Sequence, residues 1–201
     1  METGCIVLAG GYGLRLGRNK ALEAVGERSL LDWVLSRLSF LDSDILLVTT
    51  KELPYTRLID YPRLRVVSDI YPGKGPLGGI YTGLKFTSAA RSLVVACDMP
   101  FLNRGLLRYM IELPAGFDLV IPRLGELVEP LHAVYSKACL APIERLLEQG
   151  ILSVRELFSL VRVRYVETEE IDRFDPEHLS FFNVNTKSDL ARARDLLRQG
   201  V

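Results

Sequence analysis

Apolar residues fall into two rhythms along this chain. Short apolar runs at Cys5–Ala9, Asp44–Thr50, Ser92–Cys97 and Asp118–Ile121 read as buried strands of a parallel sheet. Leu64 to Asp69 reads as a further, shorter strand ending on a carboxylate. Between the runs, apolar positions recur at helical spacing. They predict helices over Ser29–Leu38 with Ser29 as N-cap, over about Ile80–Ala89 with Ile80, Leu84 and Thr87 on one face, and over Arg104–Leu113. In the second half Glu129–Tyr135 reads as a loop entering a strand, and Ala138–Gln149 as an amphipathic helix stopped by Gly150. Ser153–Phe158 reads as a short helix capped by Ser153, Val161–Glu167 as a strand, Phe181–Thr186 as extended, and Lys187–Arg198 as the closing helix. Strands alternating with helices at this spacing predict an α/β fold with a mostly parallel sheet. There is no internal repeat, low-complexity tract or linker, so 1–201 is expected to form a single domain.

The glycines and charges change the picture at the strand ends. The first run breaks at Gly10-Gly11, turns again at Gly13 and Gly17, and is followed by Arg15, Arg18 and Lys20. Glycines after a buried strand let the backbone approach a ligand closely, and nearby cations suit a polyphosphate; a glycine-rich turn with ordinary surface cations is the plain alternative. A second Gly/Pro stretch, Tyr71-Pro72-Gly73-Lys74-Gly75-Pro76-Leu77-Gly78-Gly79, reads as a loop opening a helix. Asp69 and Asp98 stand at the ends of their strands. Ligands of open α/β sheets lie outside the carboxyl ends of the strands, so these features are expected to converge. Asp98 suits Mg2+, which takes one or two protein carboxylates and completes its shell with water and phosphate. Asp69 suits a base edge or ribose. Either could instead be a helix cap or a solvated loop carboxylate.

Bulk composition narrows the partners. Lys+Arg 25 balances Asp+Glu 25, so no global basic field attracts nucleic acid, and any anion site must be local. Hydrophobic content is 48% without a run long enough to span a bilayer, which predicts no membrane segment. Cys5, Cys97 and Cys139 form no CxxC and no even framework; they read as reduced thiols of a cytoplasmic protein, Cys5 and Cys97 packing as small hydrophobes.

Taken in order, LAGGYGLRLGRNKAL, GPLGG after a strand ending in Asp, CDMPFL, EPLHAVY and NVNT before a terminal helix resemble the molybdenum cofactor guanylyltransferases, the MobA family of the nucleotidyltransferase superfamily. The resemblance spans roughly residues 6–197. It implies a three-layer, Rossmann-like nucleotide-diphospho-sugar transferase fold, with GTP bound by the N-terminal part (about 1–100) and the acceptor by the rest (about 101–201). The implied activity is Mg2+-dependent transfer of GMP from GTP to the terminal phosphate of molybdopterin or Mo-molybdopterin, with release of pyrophosphate. Carried over by position, Leu8, Ala9, Gly10 and Gly11 line the nucleotide through their backbone, and Gly75, Pro76 and Leu77 join them. Arg15 and Lys20 hold the triphosphate; Thr49 and Asp69 contact the nucleoside; Asp98 binds the metal. Asn183 and Asn185, with Glu129 and His132, fall on the acceptor side, His132 as a hydrogen-bonded structural residue in preference to a general base. Molybdoenzyme apoproteins or other cofactor-biosynthesis proteins are the implied protein partners. Gly10, lacking a Cβ beside the base, favours guanine over cytosine, and the 75–79 loop is expected to add open backbone. A cytidylyltransferase, a nucleotidyltransferase for another small phosphorylated acceptor, and a GTP-binding module without catalysis are the alternatives.

Overall fold

The computed structural model describes residues 3–9, 12–13, 18–50, 61 and 63–199. The chain opens with β1 (Thr3–Leu8), two short pieces β2 (Tyr12–Gly13) and β3 (Arg18–Asn19), and the hairpin β4 (Ala24–Val25) and β5 (Arg28–Ser29). Then come α1 (Leu30–Leu38), β6 (Ile45–Thr49), β7 (Leu64–Ser68), α2 (Gly75–Phe86), β8 (Arg91–Ala96) and α3 (Arg104–Glu112). The second half holds β9 (Leu119–Leu124), β10 (Leu127–Val128), β11 (His132–Ser136), α4 (Leu140–Glu148), β12 (Val163–Val166), α5 (Thr168–Ile171) and α6 (Lys187–Arg198).

Eight strands form one sheet in the order β10-β9-β11-β8-β1-β6-β7, with β12 beside β9. β7, β6, β1 and β8 are parallel neighbours, β11 runs against β8, and β9 runs against β11. The two-residue period of a strand divides its side chains between two cores. Cys5 and Val7 of β1 face a cluster completed by Leu31, Val34 and Leu35 of α1 and Leu106, Leu107 and Met110 of α3. Ile6 and Leu8 face the other, built from Leu77, Ile80 and Leu84 of α2 and Ile143, Leu146 and Leu147 of α4. This is the α/β fold with a mostly parallel sheet that the hydrophobic runs predict, in the three layers that the family resemblance implies.

Two helix starts show why the chain folds locally as it does. Ser29 Oγ accepts the Asp32 N–H at 3.1 Å while the Asp32 carboxylate accepts the Ser29 N–H, a capping box that satisfies donors at both ends of the first turn of α1. Thr186 and Asp189 repeat it for α6. A third, smaller core then seats α6: Leu190 and Ala193 pack with Val25 and Leu30 beside Phe101 and Val184.

The largest departure from the sequence reading is α2. The Gly/Pro stretch is not a loop up to residue 79; the helix begins at Gly75, and Thr87, expected on its apolar face, is its extended C-cap. Pro76 is compatible with a first turn, where its missing N–H would be unsatisfied in any case. The glycines have a packing reason. A Cβ at Gly83 would lie 2.5 Å from Cγ2 of Ile6, and one at Gly79 would lie 3.3 Å from Cδ2 of Leu8, so the α2 backbone rests directly on the side chains of β1. Residues 154–159 form a 3₁₀ turn in place of an α-helix, and Ser153 makes no side-chain cap. The extended stretch shortens to 182–186 because Leu179–Phe181 is a 3₁₀ turn. The β4–β5 hairpin, β10 and α5 have no counterpart in the hydrophobic pattern.

Candidate active site

Four parallel strands deliver their carboxyl ends to one edge. The Ala9 N–H donates to Val48 O at 2.9 Å, the Cys97 N–H to Leu8 O at 3.1 Å, and the Asp69 N–H to Thr49 O at 2.7 Å. Ala9, Thr49, Asp69 and Asp98 therefore stand side by side beyond the sheet. Because β11 is antiparallel, its entrance lies at the same edge: the Ala96 N–H donates to Leu131 O at 3.1 Å, just after Glu129.

Asp98 is half-buried where β8 gives way to the turn before α3. Its backbone carbonyl accepts the Val184 N–H at 2.9 Å, which ties the Asn183–Asn185 segment to this strand end. Glu129 is the second carboxylate here. Burial first, and then the charge of Asp98, raise its pKa, while hydrogen bonds from the Leu131 N–H and the Asn183 side chain act the other way. Asp98, Glu129 and Asn183 are thus brought together from three distant parts of the chain. The donor set is all oxygen and carries two carboxylates that repel each other, which fits a hard divalent cation such as Mg2+. Among the described residues, no group of three His, Cys, Asp or Glu side chains is placed to hold a metal by protein ligands alone.

The other sequence candidates separate. Asp69 belongs to the edge, but its Oδ1 accepts the Tyr71 N–H at 2.9 Å and the Thr82 hydroxyl at 2.7 Å, fastening the turn before α2 to the helix. Thr49 is buried at this edge, and its hydroxyl donates to Thr50 O at 3.2 Å. Gly75 and Pro76 are exposed in the first turn of α2, whereas Leu77 is core. The backbone of Gly78 and Gly79 is covered by Tyr71 and Leu8, which corrects the expectation of open backbone at those two positions, while Gly75 has nothing within 4 Å of where a Cβ would stand. Gly10, Gly11 and Arg15 lie outside the described residues. Lys20 starts a 3₁₀ turn, Lys20–Leu22, and only its backbone is described. Asn185 donates its N–H to the Asp189 carboxylate at 2.9 Å.

His132 is a structural residue: it is fully buried, and its ring packs on Phe181 with centroids 5.0 Å apart. Neither ring nitrogen has a partner within hydrogen-bond distance among the described residues, which departs from the expected hydrogen bond. Burial lowers its pKa to about 3, with the Ser180 backbone acting the other way, so the ring is neutral. Cys5 and Cys97 are buried as expected, and burial raises the Cys5 thiol to about 12. No helix among the described residues is long and apolar enough to cross a membrane.

With this geometry in hand, the comparisons with known proteins agree. A family model described as a MobA-like NTP transferase domain matches residues 5–167. A protein of Pelotomaculum thermopropionicum named a probable molybdenum cofactor guanylyltransferase is 41% identical over 189 residues, covering 94% of this chain and 90% of its own. One of Desulfosudis oleivorans named a molybdenum cofactor guanylyltransferase is 32% identical over 197 residues, covering 97% and 96%. The crystal structure of molybdopterin-guanine dinucleotide biosynthesis protein A from Archaeoglobus fulgidus superposes with a TM-score of 0.85 at 30% identity, over 98% of this chain and 100% of that one.

Proposed function

The chain belongs to the MobA-like NTP transferases, a family of nucleotidyl-transferring enzymes, and we propose that it moves GMP from GTP to the terminal phosphate of molybdopterin, with or without molybdenum. The observation that carries this is the meeting of Asp98, Glu129 and Asn183 at the edge where β1 delivers the glycine-rich loop. One half of the edge comes from the N-terminal strands, the other from β11 and the segment before α6. Two substrates can therefore enter from opposite sides and react between them.

The reaction needs little covalent chemistry from the protein. An oxygen of the acceptor phosphate attacks the α-phosphorus of GTP; the bond from that phosphorus to the bridging oxygen breaks, and pyrophosphate leaves with the electron pair. The nucleophile is already an anion, so no strong general base is required, in keeping with a buried, neutral His132. What remains is alignment and charge neutralisation. Asp98 would hold Mg2+, which when bound offsets charge on the phosphates. Arg15 and Lys20 supply positive charge from the loop. Asn183 and Asn185 face the acceptor. The preference for guanine rests on the names of the relatives and on Gly10, since the α2 glycines serve helix packing.

The test is pyrophosphate release with Mg2+ and molybdopterin, comparing GTP with CTP. Release with GTP supports the reading. Release with CTP alone makes the protein a cytidylyltransferase, and tight GTP binding without release for any acceptor makes it a binding module.

A further inference from the structure

Of residues 97–102, which lead from β8 toward α3, every one except Asp98 is buried. This turn is laid along the 180–184 segment at three points. Asp98 O accepts the Val184 N–H at 2.9 Å, the rings of Phe101 and Phe182 stand with centroids 5.9 Å apart, and the Asn103 N–H donates to Ser180 Oγ at 2.8 Å. The partners run in opposite directions, 98 with 184, 101 with 182 and 103 with 180, so the two segments share one register although neither is a strand there.

Asn103 does more in this seam than a helix cap requires. Its Oδ1 accepts the Leu106 N–H at 3.0 Å, which is the capping bond, and serine, threonine or aspartate would make it as well. Its Nδ2 also donates to Phe174 O at 2.7 Å. A side chain that caps through one atom and donates through another needs an amide. The far side is firmly built. Asp175, 6% exposed, accepts the Leu179 N–H at 3.1 Å and the Ser180 N–H at 2.8 Å, and its carbonyl takes the His178 N–H at 3.0 Å. His178, with a φ of 55°, is the one non-glycine residue in left-handed backbone among those described, a conformation that persists where the surroundings hold it. Asn103 thus grips the 174–180 turn at both ends, through Phe174 O and Ser180 Oγ.

We propose that Asn103 is a positioning residue of the transfer site: its bond to Phe174, which capping does not need, sets the register of the 180–184 segment on the 98–103 turn and with it the place of Asp98. It acts through Ser180 and Val184 and not by contact with a substrate. A slip of one residue along this seam would take the Val184 N–H off Asp98 O and release the strand end. A carboxylate that has to meet a metal and a phosphate at set distances does not tolerate such a displacement. The proposal rests on the edge at Asp98 being the transfer site and deepens that reading.

The test separates capping from registration. Asn103→Ser keeps a capping oxygen and removes the bond to Phe174. In the complete protein without substrates, hydrogen exchange at the Val184 amide is expected to quicken about tenfold in this variant, as for loss of one hydrogen bond, while the Leu106 amide keeps its wild-type rate. A residue that only capped α3 would give the reverse. Turnover with GTP, Mg2+ and molybdopterin is expected to fall about tenfold with the thermal midpoint near wild type, as when a reacting group is displaced and not lost. Ser180→Ala takes away the other contact, leaves the cap untouched, and gives the same readings should Asn103→Ser not fold. Wild-type exchange at Val184 in either variant overturns the proposal, and so does quicker exchange with turnover equal to that of an active wild type. Quicker exchange at Val184 in a protein whose wild type releases no pyrophosphate keeps the registration and removes the transfer reading alone.

Discussion

The N–H of Val184 donates to the carbonyl of Asp98 at 2.9 Å, joining the end of a central strand to the segment that leads into the last helix. The bond explains how a segment so far along the chain, carrying Asn183 and Asn185, reaches the edge opened by the first strand.

Under the proposed function Asp98 would hold the metal, and it contributes little packing, since it is half-exposed. Asp98→Asn should lower turnover on the order of a hundredfold or more, as for loss of a preorganised charge stabiliser, and raise the Mg2+ concentration needed for half-maximal rate. The thermal midpoint should stay near that of wild type. Turnover close to wild type would remove the metal assignment.

Gly83→Ala should destabilise the protein by about 1–3 kcal/mol, because overpacking forces α2 and β1 apart. The new Cβ would sit 2.5 Å from Ile6, against 3.3 Å from Leu8 for Gly79→Ala, where the neighbour is the end of a longer side chain and the cost is smaller. Urea denaturation of the two variants should rank them in that order.

Stability should depend on His132 below neutrality. Its pKa in the folded protein is lowered to about 3, whereas a solvated imidazole titrates near 6.5, so the unfolded chain takes up the proton first. This contribution is complete above about pH 6.5 and is lost progressively as the pH falls toward 3. His132→Phe, which keeps a ring against Phe181, removes it. Between pH 6.5 and 5 wild type should lose about 2 kcal/mol more than the variant, the linkage expected for one proton over that interval. Identical losses would contradict the assignment.

Asp189 accepts the N–H groups of both Asn185 and Thr186, and Thr186 caps the helix in return. Thr186→Ala should cost about 1 kcal/mol. Asp189→Ala should in addition speed amide exchange at residues 185 and 186, loosening the acceptor side while GTP affinity is retained. Unchanged exchange there would mean that the cap serves the helix alone.

The parallel core was legible because β1, β6 and β8 each carry an unbroken apolar run, and α1 because a capping serine precedes a helical pattern. The start of α2 was not. Glycine and proline ordinarily mark loops, and only the contact with Ile6 and Leu8 shows that Gly79 and Gly83 are there for closeness and not for bending. Asp98 could be picked out because a lone carboxylate ends a buried strand. Its relation to Glu129 and Asn183 could not, since β11 reverses direction and no local pattern announces that. The surroundings of His132 were hidden for the same reason: its neighbours in sequence do not reveal that its ring packs on Phe181.

The reversal of β11 beside β8 also couples the two halves of the molecule mechanically. Val120, Val134 and Val166 of the far strands share one apolar cluster with Cys5, Val7 and Leu35, and α6 packs on Val25 and Leu30. A substitution that shifts the far strands is therefore transmitted through close packing to the edge where β1 and β8 end.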